Sequence, residues 1–211
     1  MDDLKKKNLK NLKKISLIVE GKQGTGKSTL INCLRKDKLA KEGEYTVTTL
    51  DTDTYTSKNI PFLSLIDTRG YELNQEFNPN EIKKEVIKNI ESRRKLKDYN
   101  NYIQCILFCI DGESNIDQSE KKSLKELINN KYHIPLIIVF TKAIEKQRVE
   151  KMEKLLKKLF PNNAFIPVLG RKSNSIDPYG LDDLLNQILK SLKSVEKEDF
   201  FDKYIYIYNQ E

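Results

Sequence analysis

The chain has 211 residues, with 38 basic and 31 acidic side chains for a net charge of +7, hydrophobic residues at 38% and charged residues at 33%. That length suits one compact domain with short extensions, large enough to bury about 70% of its unfolded surface without a disulfide or metal staple. The composition is that of a soluble globular protein with a basic lean, and its apolar runs fall far short of the ~20 residues of a membrane-spanning helix.

Residues 1–14 carry a lysine-rich stretch, Lys5 to Lys14, read as a basic extension. It leads into Ile15 to Val19 without a small-residue cleavage site, so a secretory signal is not expected and the chain reads as cytoplasmic. Ile15 to Glu20 is a short β-rich run ending at Gly21, and Lys27 to Lys38 carries Leu30, Ile31 and Leu34 at helical spacing. The threonine-rich stretch Ala40 to Asn59 contains an edge strand within a long loop, and Phe62 to Ile66 is the next strand, bounded by Pro61 and Asp67. Asn80 to Lys97 is a charged helix with Ile82, Val86, Ile87 and Ile90 on one face; Ile103 to Ile110 is a strand apolar nearly throughout, as expected when both faces are covered. Then come the helix Ile116 to Asn130, the strand Leu136 to Phe140, and a basic amphipathic helix from Ile144 to Phe160 that Pro161 stops. The strand Ala164 to Leu169 and the helix Leu181 to Lys193 complete the pattern, and a tail over 197–211 gathers five aromatics between Phe200 and Tyr208. Alternating strands and helices predict a three-layer α/β domain over 15–196, with a six-stranded, mostly parallel sheet and helices on both faces.

Cys33, Cys105 and Cys109 are an odd number, and the last two lie in an apolar run, as expected of buried small hydrophobes in a reducing compartment. The single histidine, His133, has no partnering Cys or His cluster, so zinc is not expected and His133 reads as a solvated loop residue.

The most informative segment is Gly21-Lys22-Gln23-Gly24-Thr25-Gly26-Lys27-Ser28, which fits G-x-x-x-x-G-K-[ST] and lies between a strand and a helix. Three of the chain's eight glycines fall within it, where a backbone wrapping a phosphate needs their conformational freedom. The loop amides and the start of the following helix, through Ser28 and Thr29, present positive partial charge to an anion. Lys27 would bridge the β and γ phosphates and Ser28 would ligate magnesium. Forty residues on, Asp67-Thr68-Arg69-Gly70 ends a strand at the edge of the sheet where α/β folds bind ligands. Asp67 there can hold magnesium through water, and the Gly70 amide can meet the γ phosphate.

These motifs resemble the nucleotide-sensing core of the GTPase superfamily, over roughly Ile15 to Lys193. The resemblance points to the septin-like groups that include the AIG1 and immunity-related GTPases, or to the small ribosome-associated GTPases. It implies a P-loop G domain that takes GTP/GDP with Mg2+ and hydrolyses GTP slowly as a switch. It also implies a switch-one threonine on magnesium; among Thr46, Thr48, Thr49, Thr52, Thr54 and Thr56, spacing favours Thr48 and Thr49. Tyr71 stands where Ras-like proteins place a water-orienting glutamine, so unaided turnover should be low and an activating protein or self-association is implied. Arg69 replaces the usual proline and is read as an exposed loop residue or a charge stabiliser.

For the base, the family pattern Asn/Thr-Lys-x-Asp meets Thr141-Lys142-Ala143-Ile144. Lys142 fits, but Ile144 cannot accept a hydrogen bond, a loss of about 1.5–3 kcal/mol of selectivity unless a neighbour such as Glu145 compensates. Gly170 or Arg171 would offer a backbone amide to the base. Two alternatives stand beside this reading: a general P-loop ATPase or kinase, motivated by Ile144, and a non-catalytic scaffold assembling on a membrane or ribosome, motivated by Tyr71 and the basic start. The basic start could meet anionic lipid or RNA, and the aromatic tail could pack on the domain, pair with a partner's strand or touch a membrane.

Overall fold

The structure is a computed structural model that describes residues 14–35, 53–56, 63–68, 79–97, 101–173 and 175–192. The strands are β1 (Ile15–Gly21), β2 (Asp53–Thr56), β3 (Leu63–Asp67), β4 (Ile103–Asp111), β5 (Leu136–Thr141) and β6 (Ala164–Pro167). The helices are α1 (Lys27–Arg35), α2 (Pro79–Lys95), α3 (Gln118–Ile128), α4 (Lys146–Leu159) and α5 (Leu181–Ser191). The strands form one sheet in the order β2-β3-β1-β4-β5-β6, parallel except for β2, which runs antiparallel to β3. The expected six-stranded, mostly parallel sheet with helices on both faces is what forms.

Strand parity explains the unbroken apolar runs. Leu17 and Val19, Cys105, Leu107 and Cys109, and Ile137 and Val139 face a core shared with Leu30, Ile31 and Leu34 of α1 and Leu184, Leu185 and Ile188 of α5. Their neighbours Ile18, Ile106, Phe108, Ile110, Ile138 and Phe140 face the opposite core, built with Ile82, Val86 and Ile90 of α2, Leu124 and Leu127 of α3, and Val149, Met152 and Leu156 of α4. Each central strand is thus buried on both sides, which is why its sequence does not alternate. Cys105 and Cys109 are buried free thiols, pushed up to about 12 by burial, and Cys33 is a half-buried free thiol.

The end of the last strand differs from the sequence reading. The last strand stops at Pro167, whose ring nitrogen cannot extend a ladder, and Leu169 instead pairs with Tyr179 as an isolated bridge. His133 is exposed with φ 51°, its N–H donating to the Asn130 carbonyl in the turn before β5. Among the described residues no helix is long and apolar enough to cross a membrane. The lysines before Lys14, the switch-one threonines Thr48 and Thr49, Arg69, Gly70, Tyr71 and the aromatic tail lie outside the described residues.

Candidate functional site

The parallel strands β1, β3, β4 and β5 end at one edge of the sheet, and every described site residue lies at that edge. At the end of β1 the chain turns through Gly21 at φ 147°, where a Cβ would sit 2.5 Å from the Cys109 carbonyl oxygen. Only glycine fits that close approach between β1 and β4. The loop then bends through Gly24 at φ 82° and Gly26 at φ 85°; the Gly24 position opens onto free space, as a cradle for a ligand requires. Thr25 closes the turn, its N–H and hydroxyl both donating to the Lys22 carbonyl at 3.2 and 2.8 Å, and Leu30 N donates to Gly26 O as α1 starts.

Lys27 is buried at the first turn of α1, and its Nζ donates to the carbonyl oxygens of Gly21 at 2.8 Å and Lys22 at 3.2 Å. Its cationic head is therefore held inside the loop by the loop's own backbone. Ser28 is exposed beside it, and Gln23 and Gly24 form the exposed rim. Lys22 is turned the other way: its Nζ lies 2.9 Å from Asp117 Oδ2, at the start of α3. Asp117 caps that helix, accepting from Glu120 N at 2.8 Å and Ser119 Oγ at 2.5 Å, while Glu120 returns a bond to the Asp117 N–H. Burial works to raise the Asp117 carboxyl, but these donors and Lys22 outweigh it and hold it down at about 2.

The end of β5 is tied to the loop as well. Thr141 Oγ1 lies against the carbonyl oxygens of Thr25 and, at 3.0 Å, Ile110. Lys142 adopts φ 49°, and its stem passes near Gly26 while its Nζ pairs with Asp111 Oδ2 at 2.7 Å. Gly170 packs its backbone against Thr29 and Cys33, whose Sγ donates to the Gly170 carbonyl at 3.2 Å. Between these pieces lies a cleft of about 290 Å3 that brings together Gly26, Thr29, Thr141, Lys142, Gly170 and Arg171, with Ile144 on its wall. Glu145 does not line the cleft: its side chain is exposed and its N–H donates to Glu113 Oε1 at 3.2 Å, as does Ile144 N at 3.1 Å. Asp67 closes β3 opposite Val19, one strand over from the loop.

The donor set fits magnesium held mainly by a ligand's phosphates: a hydroxyl at Ser28 and a carboxylate at Asp67 are hard oxygen donors. The described residues contain no cluster of three or more His, Cys, Asp or Glu side chains, so among them there is no all-protein metal cage.

A phosphate loop between strand and helix, an aspartate ending the adjacent strand and a cleft beyond β5 are the features of a P-loop nucleotide-binding G domain. Residues 16–142 match the family model of the 50S ribosome-binding GTPase, and the chain belongs to that family. The matched region is a GTPase domain. The chain is 28% identical over 182 residues to the tRNA modification GTPase MnmE of Pseudothermotoga lettingae, covering 86% of this chain and 36% of that protein. Its fold is similar to Aquifex aeolicus Era bound to GDP.AlF4-, with a TM-score of 0.58 at 21% identity over 87% of this chain and 58% of that one. It is also similar to a probable GTP-binding protein engB, with a TM-score of 0.54 at 23% identity over 83% of this chain and 97% of that one.

Sequence reasoning missed Asp117, Asp111 and Glu113, since nothing local marks them as partners of residues about 30 to 95 positions away. Glu20 had a signal: it is the one charged residue in the strand run Ile15–Gly21.

Proposed function

We propose that this chain is a guanine-nucleotide switch in which Lys27 neutralises the β and γ phosphates, and Ser28 and Asp67 hold magnesium. Thr48 or Thr49 completes the metal shell and the Gly70 amide reports the γ phosphate; both regions lie outside the described residues. The observation that carries this reading is the burial of Lys27 inside a glycine loop that abuts the cleft formed with Thr141, Lys142, Gly170 and Arg171. The backbone amides of Gly21 to Thr29 cradle the phosphate chain, the Lys142 stem covers the base, and Gly170 or Arg171 offers its amide to the base oxygen. Magnesium, when bound, supplies positive charge to the phosphate oxygens. The rest of the barrier falls to groups this chain holds in place, and with Tyr71 at the water-orienting position unaided hydrolysis is slow.

Of the two groups that the sequence resembles, the family match supports the ribosome-associated one ahead of the septin-like one. A solved structure of Era holds MgGDPNP and nucleotides 1506–1542 of 16S ribosomal RNA, at 21% identity to this chain. That precedent and the Lys5 to Lys14 stretch support RNA phosphate as a partner, ahead of an anionic membrane. The test is a parallel titration of labelled GTP and ATP with magnesium, followed by single-turnover hydrolysis at rising protein concentration. GTP preference with slow, concentration-dependent turnover is expected; ATP preference overturns the guanine reading, and no turnover at any concentration favours a scaffold.

A further inference from the structure

Glu20 is the last side chain of β1 before the phosphate loop, and it is completely buried. It shares strand parity with Ile18 and so faces the α2 side of the sheet. Both of its oxygens are engaged: Gly21 N donates to Oε1 at 3.0 Å, and Thr68 Oγ1 lies 2.5 Å from Oε2. The same Thr68 hydroxyl lies 3.1 Å from the Val19 carbonyl oxygen, which also accepts from Thr68 N at 3.3 Å. A hydroxyl has one proton and cannot donate to Val19 O and Glu20 Oε2 together. With Glu20 ionised, one of those two contacts brings oxygen lone pairs together. With a proton on Oε2, Glu20 donates to Thr68, Thr68 donates to Val19, Gly21 donates to Oε1, and every contact is a hydrogen bond.

The surrounding groups agree with the protonated form. Burial is the largest influence and pushes the carboxyl up to about 7, against the opposing pull of Thr68 and Gly21; Glu85 on α2 adds to the rise and Lys27 at the start of α1 opposes it. Across the sheet, Cys109 on β4 lies within electrostatic reach of Lys27, Asp67 and Glu20 and is itself a neutral thiol, so β4 offers no countercharge.

We propose that Glu20 is a positioning residue for GTP hydrolysis: as a carboxylic acid it pins the Thr68 end of β3 to the start of the phosphate loop. Arg69 and Gly70 follow Thr68 in the sequence, and the link from this pin to hydrolysis rests on the Gly70 role proposed above. Glutamine reproduces the acid at this position, since its Oε1 accepts from Gly21 N and its Nε2 donates to Thr68 Oγ1. Valine at 68 keeps the shape and removes the hydroxyl.

The test compares the unaltered chain, Glu20→Gln, Glu20→Ala and Thr68→Val in two assays from about pH 5.5 to about pH 8.5, a range that brackets the raised carboxyl. Infrared spectra of the nucleotide-free protein are expected to hold a protonated-carboxyl band that titrates away toward the alkaline end and is missing from Glu20→Gln. Single-turnover GTP hydrolysis is expected to fall several-fold over the same range in the unaltered chain and to stay flat in Glu20→Gln, near the acid-side rate. Glu20→Ala and Thr68→Val are expected to lose rate at unchanged GTP affinity. A Glu20→Gln profile that superposes on the unaltered one, or no carboxyl band lost in that variant, overturns the proposal. Failure to bind GTP at all would instead strike the proposed function, and the infrared band still decides the hydrogen-bond arrangement of Glu20.

Discussion

Lys27 Nζ donates to the Gly21 carbonyl at 2.8 Å, so the cation that a phosphate chain needs is already fixed within the loop that would wrap it. Holding the ammonium in place before the ligand arrives lowers the ordering cost of binding. Lys27→Ala removes a charge-assisted contact of about 1.5–3 kcal/mol and leaves the Gly21 and Lys22 carbonyls without that donor. Affinity for GTP and GDP is expected to fall by roughly ten- to a hundredfold, measured by titration of a fluorescent nucleotide with circular dichroism to verify the fold. Undiminished affinity would refute the site.

Stability should fall as pH rises from 4.5 to about 7, and Glu20 is the reason. Its carboxyl is raised from 4.5 to about 7, so the folded chain keeps a proton that the unfolded chain releases above 4.5. The stabilisation is complete below 4.5, declines between 4.5 and about 7, and is gone above that. A shift of ~2.5 units amounts to about 3 kcal/mol at most. Glu20→Gln is expected to flatten this slope and to exceed the unaltered chain in urea midpoint at about pH 8. A Glu20→Gln chain whose urea midpoint still declines across that interval as steeply as the unaltered one would exclude Glu20 as the source.

The phosphate loop was legible because its signal is local: eight consecutive residues, a strand before and a helix after, with glycines where φ is positive at 24 and 26. The two-faced strands were legible for the same reason, as were the positions of Thr141, Lys142, Gly170 and Arg171 after their strands. What joins them was not, because it is non-local. Thr141 meets Thr25 across 116 positions, Lys22 meets Asp117 across 95, and Thr68 meets Glu20 across 48. Glu145, offered as a substitute base reader from adjacency alone, is carried away from the cleft because α4 begins at Lys146 and Glu145 serves as its exposed cap position.

Asp117 joins a helix cap to the phosphate loop. Its loss to alanine removes the capping box of α3 and the Lys22 pair, with an expected cost of about 1 kcal/mol from the cap. Its carboxyl is held below 3.8, at about 2, so its contribution is present above pH 3.8 and is lost as pH falls through about 2. Urea unfolding of Asp117→Ala near neutral pH checks the first expectation. A midpoint unchanged there while Ser119→Ala lowers it would remove Asp117 as the cap.

Gly180 precedes α5 at φ 83°, and a Cβ there would lie 1.9 Å from the Pro167 carbonyl oxygen. That contact cannot be relieved without moving β6 away from α5, so Gly180→Ala is expected to destabilise the fold by about 2 kcal/mol or more. Gly24→Ala meets no atom within 4 Å and carries only the backbone strain of its φ of 82°. Thermal unfolding of the two variants should rank Gly180→Ala as the less stable, while Gly24→Ala affects nucleotide affinity more than stability. The reverse order would contradict the packing at β6.

Ile144 stands on the wall of the cleft, and in the base reading proposed above it takes the place of an aspartate that accepts from the guanine ring N–H and amino group. With an apolar side chain there, discrimination between GTP and ATP rests on backbone amides and the Lys142 stem, and should be modest. Ile144 is partly exposed and its N–H is already held by Glu113, so an aspartate can be placed on the same backbone without burying a charge. Ile144→Asp is expected to sharpen the preference for GTP over ATP by roughly ten- to a hundredfold, the worth of one charged acceptor. The gain should appear as tighter GTP binding with little change for ATP, because adenine presents no matching donors to a carboxylate at that edge. Parallel titrations of both nucleotides measure it, and equal tightening toward GTP and ATP would mean that the base does not lie against Ile144.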